Sequence, residues 1–426
     1  MAGNDAELLA HAVRLLALPP PALDEMTTAS LDPRPPADVR IGRAELAIGD
    51  WVDRYRLLSI LGVGGFGEVY LAEQLDPIAR RVALKVVKHS ADSRSVIARF
   101  EQERQALAIM DHPGVAKVFD AGTTASGRPY FVMEYVAGLP ITEFCDRERL
   151  DIRQRISLFE QVCDAVQHAH HKGIIHRDLK PSNILVSLRD NKPAPVVIDF
   201  GVAKATTRAL TEQAVFEESG LMIGTPEYMS PEQADPGRLD IDTRTDVYSL
   251  GVVLYELLAG VAPFDGRLLR RAGYAEIQRL IREMQPPRPS TRLSELGEEA
   301  QRIAERRQTR TSDLTRILFK ELEWIPLMAM RKDRTRRYQS PRAIADDLQR
   351  YLRGEPLAAG PESRSYRARK FIARHRVIVG GAGAAAMIVL SAAAVAAAFW
   401  ATAVAERRVA VTVTAFLLED MLRESA

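Results

Sequence analysis

Three side chains suited to phosphoryl transfer lie within six residues of one another in the stretch 175–185, which reads IHRDLKPSNIL. The carboxylate of Asp178 can accept a proton from a hydroxyl, and the ammonium of Lys180 can lie against a transferring phosphate. The amide of Asn183 supplies an oxygen of the kind that coordinates Mg²⁺. We therefore predict that this stretch is a catalytic loop for transfer of a phosphoryl group to a hydroxyl.

A glycine-rich segment upstream has the pattern G-x-G-x-x-G-x-V, which allows backbone N–H groups to approach phosphates closely. Dinucleotide-binding turns share this pattern, but there a helix follows the glycines. Here the flanking runs 55–60 and 69–72 are rich in strand-forming residues, so they predict a β-hairpin over the phosphates of ATP. The residues of this candidate site are Leu61, Gly62, Val63, Gly64, Gly65, Phe66, Gly67, Glu68 and Val69.

A lysine and two acidic residues follow at spacings that suit the same chemistry. Lys85 ends a short β-rich run, and we predict that its ammonium contacts the α- and β-phosphates of the nucleotide. The helical pattern 96–110 carries Glu103, the favoured ion-pair partner of this lysine, with Glu101 as the competing candidate. Asp199 follows a buried apolar strand, where a carboxylate is costly unless it binds a cation. We therefore predict that it is the second magnesium ligand.

Together with the segment 224–232, which reads GTPEYMSPE, these motifs resemble the protein kinase family, specifically the bacterial serine/threonine kinases of eukaryotic type. The resemblance covers roughly residues 55–352. It implies an α+β, bilobal protein kinase fold with a small β-rich N-lobe and a large helical C-lobe. It also implies ATP as the phosphate donor and Mg²⁺ as cofactor, with Mn²⁺ as an alternative. The roles implied are an ion pair of Lys85 with Glu103, a catalytic base, Asp178, and two metal ligands, Asn183 and Asp199.

The resemblance implies an adenine pocket as well. Met133 is similar to the gatekeeper residue, and the backbone from Glu134 to Val136 is similar to the hinge that hydrogen-bonds adenine. The side chains that would sandwich the ring are Val69, Ala83 and Leu185.

Two further residues bear on which hydroxyl is phosphorylated. Lys180 and Thr225 resemble residues typical of serine/threonine kinases, so proteins that present Ser or Thr are the expected substrates. Asp246 resembles a buried helix acid that braces the catalytic loop from beneath. Glu232 is expected to pair with Arg337 as a structural bridge of the large lobe.

Two other classes of protein remain as alternatives. A pseudokinase-type binding module keeps the fold but has lost the chemistry, and such proteins typically lack at least one of the five key side chains that are present here. A small-molecule phosphotransferase of related fold has a similar catalytic loop but lacks the peptide-docking segment 224–232. Labelling with ATP would separate these alternatives from an active protein kinase.

Composition and local patterns predict the domain organisation. The formal charge of +2, with 58 basic and 56 acidic residues, gives no global field that would favour nucleic acid as a partner. The predicted segments are a flexible leader at 1–53, a kinase domain at 54–352 (N-lobe 54–136, C-lobe 137–352), a basic juxtamembrane linker at 353–376, a transmembrane helix at 377–405 and a short tail at 406–426. Within the large lobe, the Arg- and Glu-rich segment 268–317 is expected to form exposed helices.

The segment 377–405 has 29 residues without a charge, whereas about 20 suffice to cross a ~30 Å hydrocarbon core. Thirteen of them are alanine, so an alanine-rich buried helix is the alternative. Basic residues cluster before the segment, and positive flanks stay inside. We therefore expect a single-pass protein of the cell (inner) membrane with its kinase domain in the cytoplasm. Three glycines, Gly380, Gly381 and Gly383, permit close helix packing and hence a homodimer through the span.

Overall fold

The computed structural model of this protein describes residues 46–64, 67–87, 110–200, 225–235, 241–266, 269 and 273–424. The contacts between residues divide the chain into two units, 1–352 and 353–426. In the described part of the first unit, a β-sheet is followed by a mainly helical portion. This order agrees with the α+β, bilobal architecture predicted from the sequence.

The β-rich portion is a six-stranded antiparallel sheet with the strand order β1-β2-β3-β4-β6-β5. Its strands are β1 (Trp51–Val52), β2 (Tyr55–Gly64), β3 (Gly67–Gln74), β4 (Arg80–Val87), β5 (Val118–Thr123) and β6 (Pro129–Glu134). Because side chains alternate between the two faces of a sheet, each strand contributes to both. One face packs into an apolar core that includes Tyr70, Leu84 and Val132.

The helical portion also contains a small sheet whose strands are β7 (Leu139–Pro140), β8 (Ile184–Arg189) and β9 (Lys192–Val197). The first three helices are α1 (Ile141–Arg147), α2 (Ile152–His171) and α3 (Arg244–Ala259). The next six are α4 (Tyr274–Glu283), α5 (Pro289–Ser294), α6 (Glu298–Glu305), α7 (Thr311–Ile317), α8 (Trp324–Ala329) and α9 (Pro341–Arg353).

Local sequence signals account for the ends of the two central helices. α2 begins with a capping box in which Asp151 and Gln154 exchange side-chain to backbone hydrogen bonds. α3 ends at Gly260, whose φ of 80° is the left-handed conformation that favours glycine at a helix end. Nearly every residue of α3 is buried, so this helix forms the centre of the helical portion.

The predicted bridge between Glu232 and Arg337 is present and buried. The guanidinium nitrogens of Arg337 lie 2.7 and 2.8 Å from the two carboxylate oxygens of Glu232. Thr245 of α3 adds a hydrogen bond of 2.9 Å to the same carboxylate. Burial alone would raise the pKa of Glu232, but its bonds to the guanidinium hold that pKa below its ordinary value of 4.5. The pair therefore joins the segment after residue 225 to the loop before α9.

The described part of the segment 268–317 contains the helices α4 to α7, as predicted, but the prediction that these helices are exposed was wrong for one of their faces. Leu293 of α5 and Leu314 of α7 are fully buried, and Ile303 of α6 is nearly so. Arg307 is also buried, and its guanidinium donates hydrogen bonds to the carbonyls of Leu257 and Leu258 at the end of α3. A buried charge is tolerated there because carbonyls at a helix C-terminus carry partial negative charge.

The second unit contains the two helices α10 (Arg364–Arg374) and α11 (Arg376–Glu424). Within α11, the stretch Val379–Ala415 is the one part of the described chain long and apolar enough to cross a membrane, with a mean hydropathy of 2.1. The predicted span ended at residue 405, yet the helix continues without a break to Glu424. The 37 residues of the apolar stretch extend about 55 Å at 1.5 Å per residue, which exceeds a hydrocarbon core of ~30 Å.

Candidate active site

The predicted catalytic loop lies between α2 and β8, and three of its side chains meet there. The ammonium of Lys180 is 3.0 Å from a carboxylate oxygen of Asp178. The side-chain nitrogen of Asn183 donates to the main-chain oxygen of Asp178 at 2.8 Å and to its carboxylate at 3.3 Å. Lys180 also donates to the hydroxyl of Thr225 at 3.4 Å. The structure thus brings together four residues that the sequence assigned to catalysis and metal binding.

Asp246 of α3 holds this loop from below, as the sequence predicted. Its carboxylate is fully buried and accepts the backbone N–H groups of His176 and Arg177, each at 2.8 Å. The ring nitrogen Nε2 of His170 lies 2.7 Å from the same carboxylate. Burial would raise the pKa of Asp246, but these donors, His170 foremost, hold it below the ordinary value of 3.8. Asp246 therefore stays ionised and fixes the backbone on which Asp178 sits.

The ring of His176 connects the catalytic loop to the segment that carries Asp199. Its Nδ1 accepts the backbone N–H of Asp178 at 3.2 Å, so the ring proton is on Nε2. Nε2 then donates to the carbonyl of Ile198 at 3.0 Å. The same ring packs on Phe200 with 4.7 Å between centroids. These contacts set the distance between the two segments from which the predicted catalytic base, Asp178, and the second predicted metal ligand, Asp199, come.

The low pKa values of Asp246 and Glu232 predict a loss of stability in acid. A group whose pKa is depressed in the folded state stabilises the fold above its unfolded pKa, and this contribution is lost as the pH falls through the folded pKa. Burial raises the pKa of a third carboxyl, that of Glu256, so its protonation favours the folded state. This effect opposes any loss of stability above pH 4.5. We expect the free energy of unfolding to decrease as the pH falls below 4.5 and then below 3.8, the ordinary pKa values of glutamate and aspartate.

Urea unfolding of the full chain at a series of pH values measures this loss. Asp246→Asn is the matched variant, because it removes one carboxyl group with a depressed pKa and should flatten the acid limb of the curve. An acid limb of equal slope in the variant and the wild type would contradict the depressed pKa of Asp246.

Lys85 contacts Asp199, which is a different partner from the one the sequence favoured. Its Nζ forms an ion pair with Oδ1 of Asp199, which has a φ of 59°. The predicted partner, Glu103, and the alternative, Glu101, lie outside the described residues. The structure therefore brings the lysine of β4 together with the second predicted metal ligand.

The glycine-rich segment forms the predicted hairpin between β2 and β3. Gly62 pairs with Val69, Val63 with Glu68, and Gly64 with Gly67. A Cβ added at Gly67 would lie 2.1 Å from the carbonyl oxygen of Val86, so a side chain at this position would displace the strand. Leu61 lies on β2 in the same hairpin, and Gly65 and Phe66 lie outside the described residues.

Four of the predicted nucleotide contacts share one face of the large sheet. Val69 lies opposite Lys85, and Ala83 lies opposite Met133. Because Ala83 and Lys85 are two residues apart on β4, all four side chains are on the same face. The apolar core of the sheet occupies the other face. The first face is therefore free of that core and carries both the lysine and the expected adenine contacts.

The remaining adenine contacts lie where the sheet meets the helical portion. The backbone N–H of Glu134, at the end of β6, donates to the carbonyl of Lys117 at 2.8 Å. Val136, two residues further on, packs in a cluster with Val196 and the partly buried Leu185. The structure thus places the predicted hinge next to the residue that was expected to form the lower wall of the pocket.

Arg128 contacts the glycine-rich hairpin, and no sequence pattern had distinguished it from a surface arginine. It lies in the turn between β5 and β6 and is 8% exposed. Its guanidinium donates to the carboxylate of Glu68 and to the carbonyl of Val87, both at 3.2 Å. Tyr70 donates to the same carboxylate at 2.9 Å. Glu68 belongs to the segment predicted to bind ATP, and these contacts fix that hairpin to the end of β4.

Replacement of Arg128 should therefore weaken nucleotide binding more than it slows the chemistry. We expect Arg128→Ala to raise KM for ATP about fivefold, which corresponds to the ~1 kcal/mol of one lost hydrogen bond. KM for a peptide acceptor should stay unchanged in steady-state assays. Arg81→Ala, at an exposed arginine of β4, is the matched control. If Arg128→Ala raised KM for ATP and KM for the peptide equally, the fold as a whole would be disturbed.

Comparisons with known proteins agree with this geometry. A family model described as a protein kinase domain matches residues 55–323. Serine/threonine-protein kinase pkn3 of Myxococcus xanthus is 40% identical over 248 residues, which are 57% of this chain and 44% of that protein. Serine/threonine-protein kinase PknB of Mycobacterium tuberculosis is 36% identical over 315 residues, which are 72% of this chain and 44% of that protein. The chain thus spans less than half the length of these curated relatives.

Solved structures show the same fold. A mutant form of the Mycobacterium tuberculosis PknI kinase domain matches with a TM-score of 0.51 and 24% identity, covering 72% of this chain and all of that domain. The family uses ATP and a divalent metal ion. Because the family model matches more than half of the chain, and the described geometry unites its characteristic residues, the chain belongs to the protein kinase family.

Proposed function

We propose that this protein is a serine/threonine protein kinase that transfers the γ-phosphate of ATP to Ser or Thr hydroxyls of other proteins. One observation carries the proposal: the carboxylate of Asp178, the ammonium of Lys180 and the amide of Asn183 meet in a single braced loop, and the hydroxyl of Thr225 contacts that loop through Lys180. A binding module has no need of this arrangement. The clustering therefore favours an active enzyme over the pseudokinase alternative.

Each residue then has a role in positioning or proton transfer. Asp178 accepts the proton of the substrate hydroxyl as that oxygen attacks the γ-phosphorus, and the bond from this phosphorus to the β–γ bridging oxygen breaks with ADP as the leaving group. Lys180, 3.0 Å from this carboxylate, balances the negative charge of the transferring group. Lys85 holds the α- and β-phosphates beneath the glycine-rich hairpin. Glu103 is assigned as the partner that orients this lysine, and its role is tested by replacement with glutamine.

The donor set fits a hard divalent cation, and we assign Mg²⁺, with Mn²⁺ as a substitute. The amide nitrogen of Asn183 is used in hydrogen bonds to Asp178, which leaves the amide oxygen as a ligand. Asp199 contacts Lys85 through Oδ1, which leaves Oδ2. No group of three or more His, Cys, Asp or Glu side chains that could hold a metal occurs among the described residues. Asn183 and Asp199 would therefore hold the ion together with phosphate oxygens of the nucleotide. When bound, the ion neutralises charge on the β- and γ-phosphates.

Specificity for Ser and Thr rests on the contact between Lys180 and Thr225. The test is transfer from γ-labelled ATP to three matched peptides that differ in one acceptor residue, Ser, Thr or Tyr. Label should appear in the Ser and Thr peptides and stay near background in the Tyr peptide. Label in the Tyr peptide at a comparable rate would overturn the specificity, and label in none would support the pseudokinase alternative.

We also propose that the protein is a single-pass protein of the cell membrane, with residues 54–352 in the cytoplasm. The support is the apolar helix Val379–Ala415, which has no buried residues within its most apolar window, and the basic residues that precede it. Positive flanks remain on the cytoplasmic side, where ATP is available. Packing of the glycines near residue 380 would allow two copies to pair within the membrane.

An arginine in the middle of the span should remove this anchoring. Ala392→Arg is expected to make insertion about 3 kcal/mol less favourable, which is most of the favourable insertion energy of so alanine-rich a segment. The variant should leave the membrane pellet on alkaline extraction, whereas Ala392→Leu should remain in it. Retention of the arginine variant would contradict a single span at this position.

A further inference from the structure

The helix α10, with the sequence RSYRARKFIAR, is strongly basic and stands directly before the apolar helix α11. It contains five basic residues and no acidic one. Three of its arginines, Arg364, Arg367 and Arg369, are exposed and form no ion pair with another described residue. Exposed like charges on one short helix repel one another, and an anionic surface would relieve that repulsion.

One side of α10 is held by the preceding segment of the same unit. Tyr366 is 5% exposed, and its hydroxyl oxygen accepts the backbone N–H of Leu357 at 3.2 Å. Near the other end, Arg374 is 3.0 Å from the carboxylate of Glu355. These contacts fix which side of the helix packs against the chain and therefore which side remains outside.

Away from Tyr366, the helix exposes two large apolar residues on either side of Arg364. Phe371 is 59% exposed and Ile372 is 50% exposed. On a helical wheel at 100° per residue, they flank the direction of Arg364, and the packed Tyr366 lies on the far side. Several arginines together with large exposed apolar side chains on one short helix are typical of helices that lie in a membrane interface.

A single non-helical residue separates this helix from the apolar one. α10 ends at Arg374, His375 has non-helical angles of φ −110° and ψ 37°, and α11 begins at Arg376. The two helices therefore have separate axes. If α11 crosses a membrane, the C-terminal end of α10 lies within a few residues of the headgroups. α10 can then lie along the headgroups while α11 passes through the membrane.

We propose that α10 is an interfacial helix that binds anionic phospholipids. Its arginines contact the headgroup phosphates, and Phe371 and Ile372 enter the boundary between headgroups and acyl chains. The inference rests on the proposed span, which places α10 on the cytoplasmic leaflet, where anionic lipids give a negative surface potential. The charge of the helix and its continuity with the span identify this partner.

The test uses the full chain in lipid vesicles, with Ile372→Cys carrying an environment-sensitive fluorophore. Both native cysteines, Cys145 and Cys163, are buried and should escape labelling. The vesicles contain phosphatidylcholine alone or mixed with phosphatidylglycerol. We expect a blue shift and quenching by brominated acyl chains in the anionic vesicles. The same label on Glu362→Cys, an exposed position outside the helix, should report water in both lipids.

Replacement of Arg364, Arg367 and Arg369 by glutamine tests the charge. We expect the equilibrium constant for surface contact to fall about fivefold per arginine and about a hundredfold for all three, at ~1 kcal/mol per charge. High salt should mimic the loss in the wild type, since screening shortens the range of the attraction. An unchanged fluorescence signal in the triple variant would overturn the proposal.

Flotation of the vesicles separates this inference from the span on which it depends. If the protein does not float with the vesicles, the span itself is wrong, and this inference fails with it. If it floats but the label at residue 372 reports water in both lipids, the span stands and the interfacial helix is refuted. Equal blue shifts in neutral and anionic vesicles would show apolar contact alone and would overturn the recognition of anionic lipid.

Discussion

Asp178→Asn should lower kcat for peptide phosphorylation by about 10²- to 10⁴-fold, the range that general-base catalysis contributes. The amide is nearly the same size as the carboxylate but cannot accept the hydroxyl proton at neutral pH. It also removes the negative partner of Lys180, now 3.0 Å away. The bond from Asn183 to the main-chain oxygen of residue 178 does not depend on the side chain, so the loop should keep its shape. Initial rates at saturating ATP measure the effect.

Asp190→Asn is the matched control for this variant. Asp190 is exposed in the turn between β8 and β9 and has a φ of 50°, a conformation that asparagine adopts readily. This control should retain wild-type kcat, and both variants should bind ATP and unfold at the wild-type temperature. A kcat for Asp178→Asn within a few-fold of the wild-type value would remove the proposed base from the mechanism.

Arg337→Met should lower the free energy of unfolding by about 3–5 kcal/mol, the usual effect of removing one partner of a buried ion pair. The side chains of Arg337 and Glu232 are 0% and 3% exposed, so the carboxylate would remain without its cation and without water. Arg337 also donates to the carbonyls of Arg331 and Arg244, at 2.6 and 3.0 Å, and these acceptors would lose a partner. Urea unfolding of the full chain measures the change.

Two further variants separate loss of the pair from loss of a side chain. Arg342→Met removes an arginine that is 53% exposed and pairs with Asp164, and exposed pairs contribute about 0–1 kcal/mol. Adding Glu232→Gln to Arg337→Met removes the uncompensated charge and should recover part of the stability. If Arg337→Met and Arg342→Met destabilise the protein equally, burial of the pair has no special effect.

Those parts of the site that depend on local spacing could be predicted from the sequence. The hairpin of β2 and β3 follows from strand-forming residues on both sides of a glycine-rich turn, and its observed register pairs Gly64 with Gly67. The brace from Asp246 was expected from the resemblance of its segment to protein kinases, and the catalytic loop provides two N–H groups to this carboxylate. Such features are set by short segments whose chemistry allows few arrangements.

Contacts between distant segments could not be predicted in the same way. The ion pair of Lys85 with Asp199 joins residues 114 positions apart and was not among the contacts expected of either side chain. The expected partner of Lys85, Glu103, lies outside the described residues, so that prediction stands untested. Arg128 lies 60 positions from Glu68, in a turn where an arginine is ordinarily a solvated residue. Nothing in the local pattern distinguishes that arginine from an exposed one.

The long helix α11 shows a different limit of sequence patterns. The charged residues Glu406, Arg407 and Arg408 end an apolar run, and the predicted span therefore stopped at 405. Glutamate and arginine are good helix formers, however, so they end a membrane segment without ending a helix. Hydropathy thus locates where a helix can leave the hydrocarbon core, whereas the end of the helix depends on backbone preferences.

Transfer of labelled γ-phosphate by the purified full chain, measured beside nucleotide binding in the same samples, tests the central claim most directly. We predict that the wild-type protein binds ATP and, with Mg²⁺ present, places label on Ser and Thr of an acceptor peptide. Chelation of the metal or the Asp178→Asn substitution should abolish the label while the nucleotide still binds to the variant. Tight ATP binding by the wild type with no label on any hydroxyl, in Mg²⁺ or in Mn²⁺, would contradict the account.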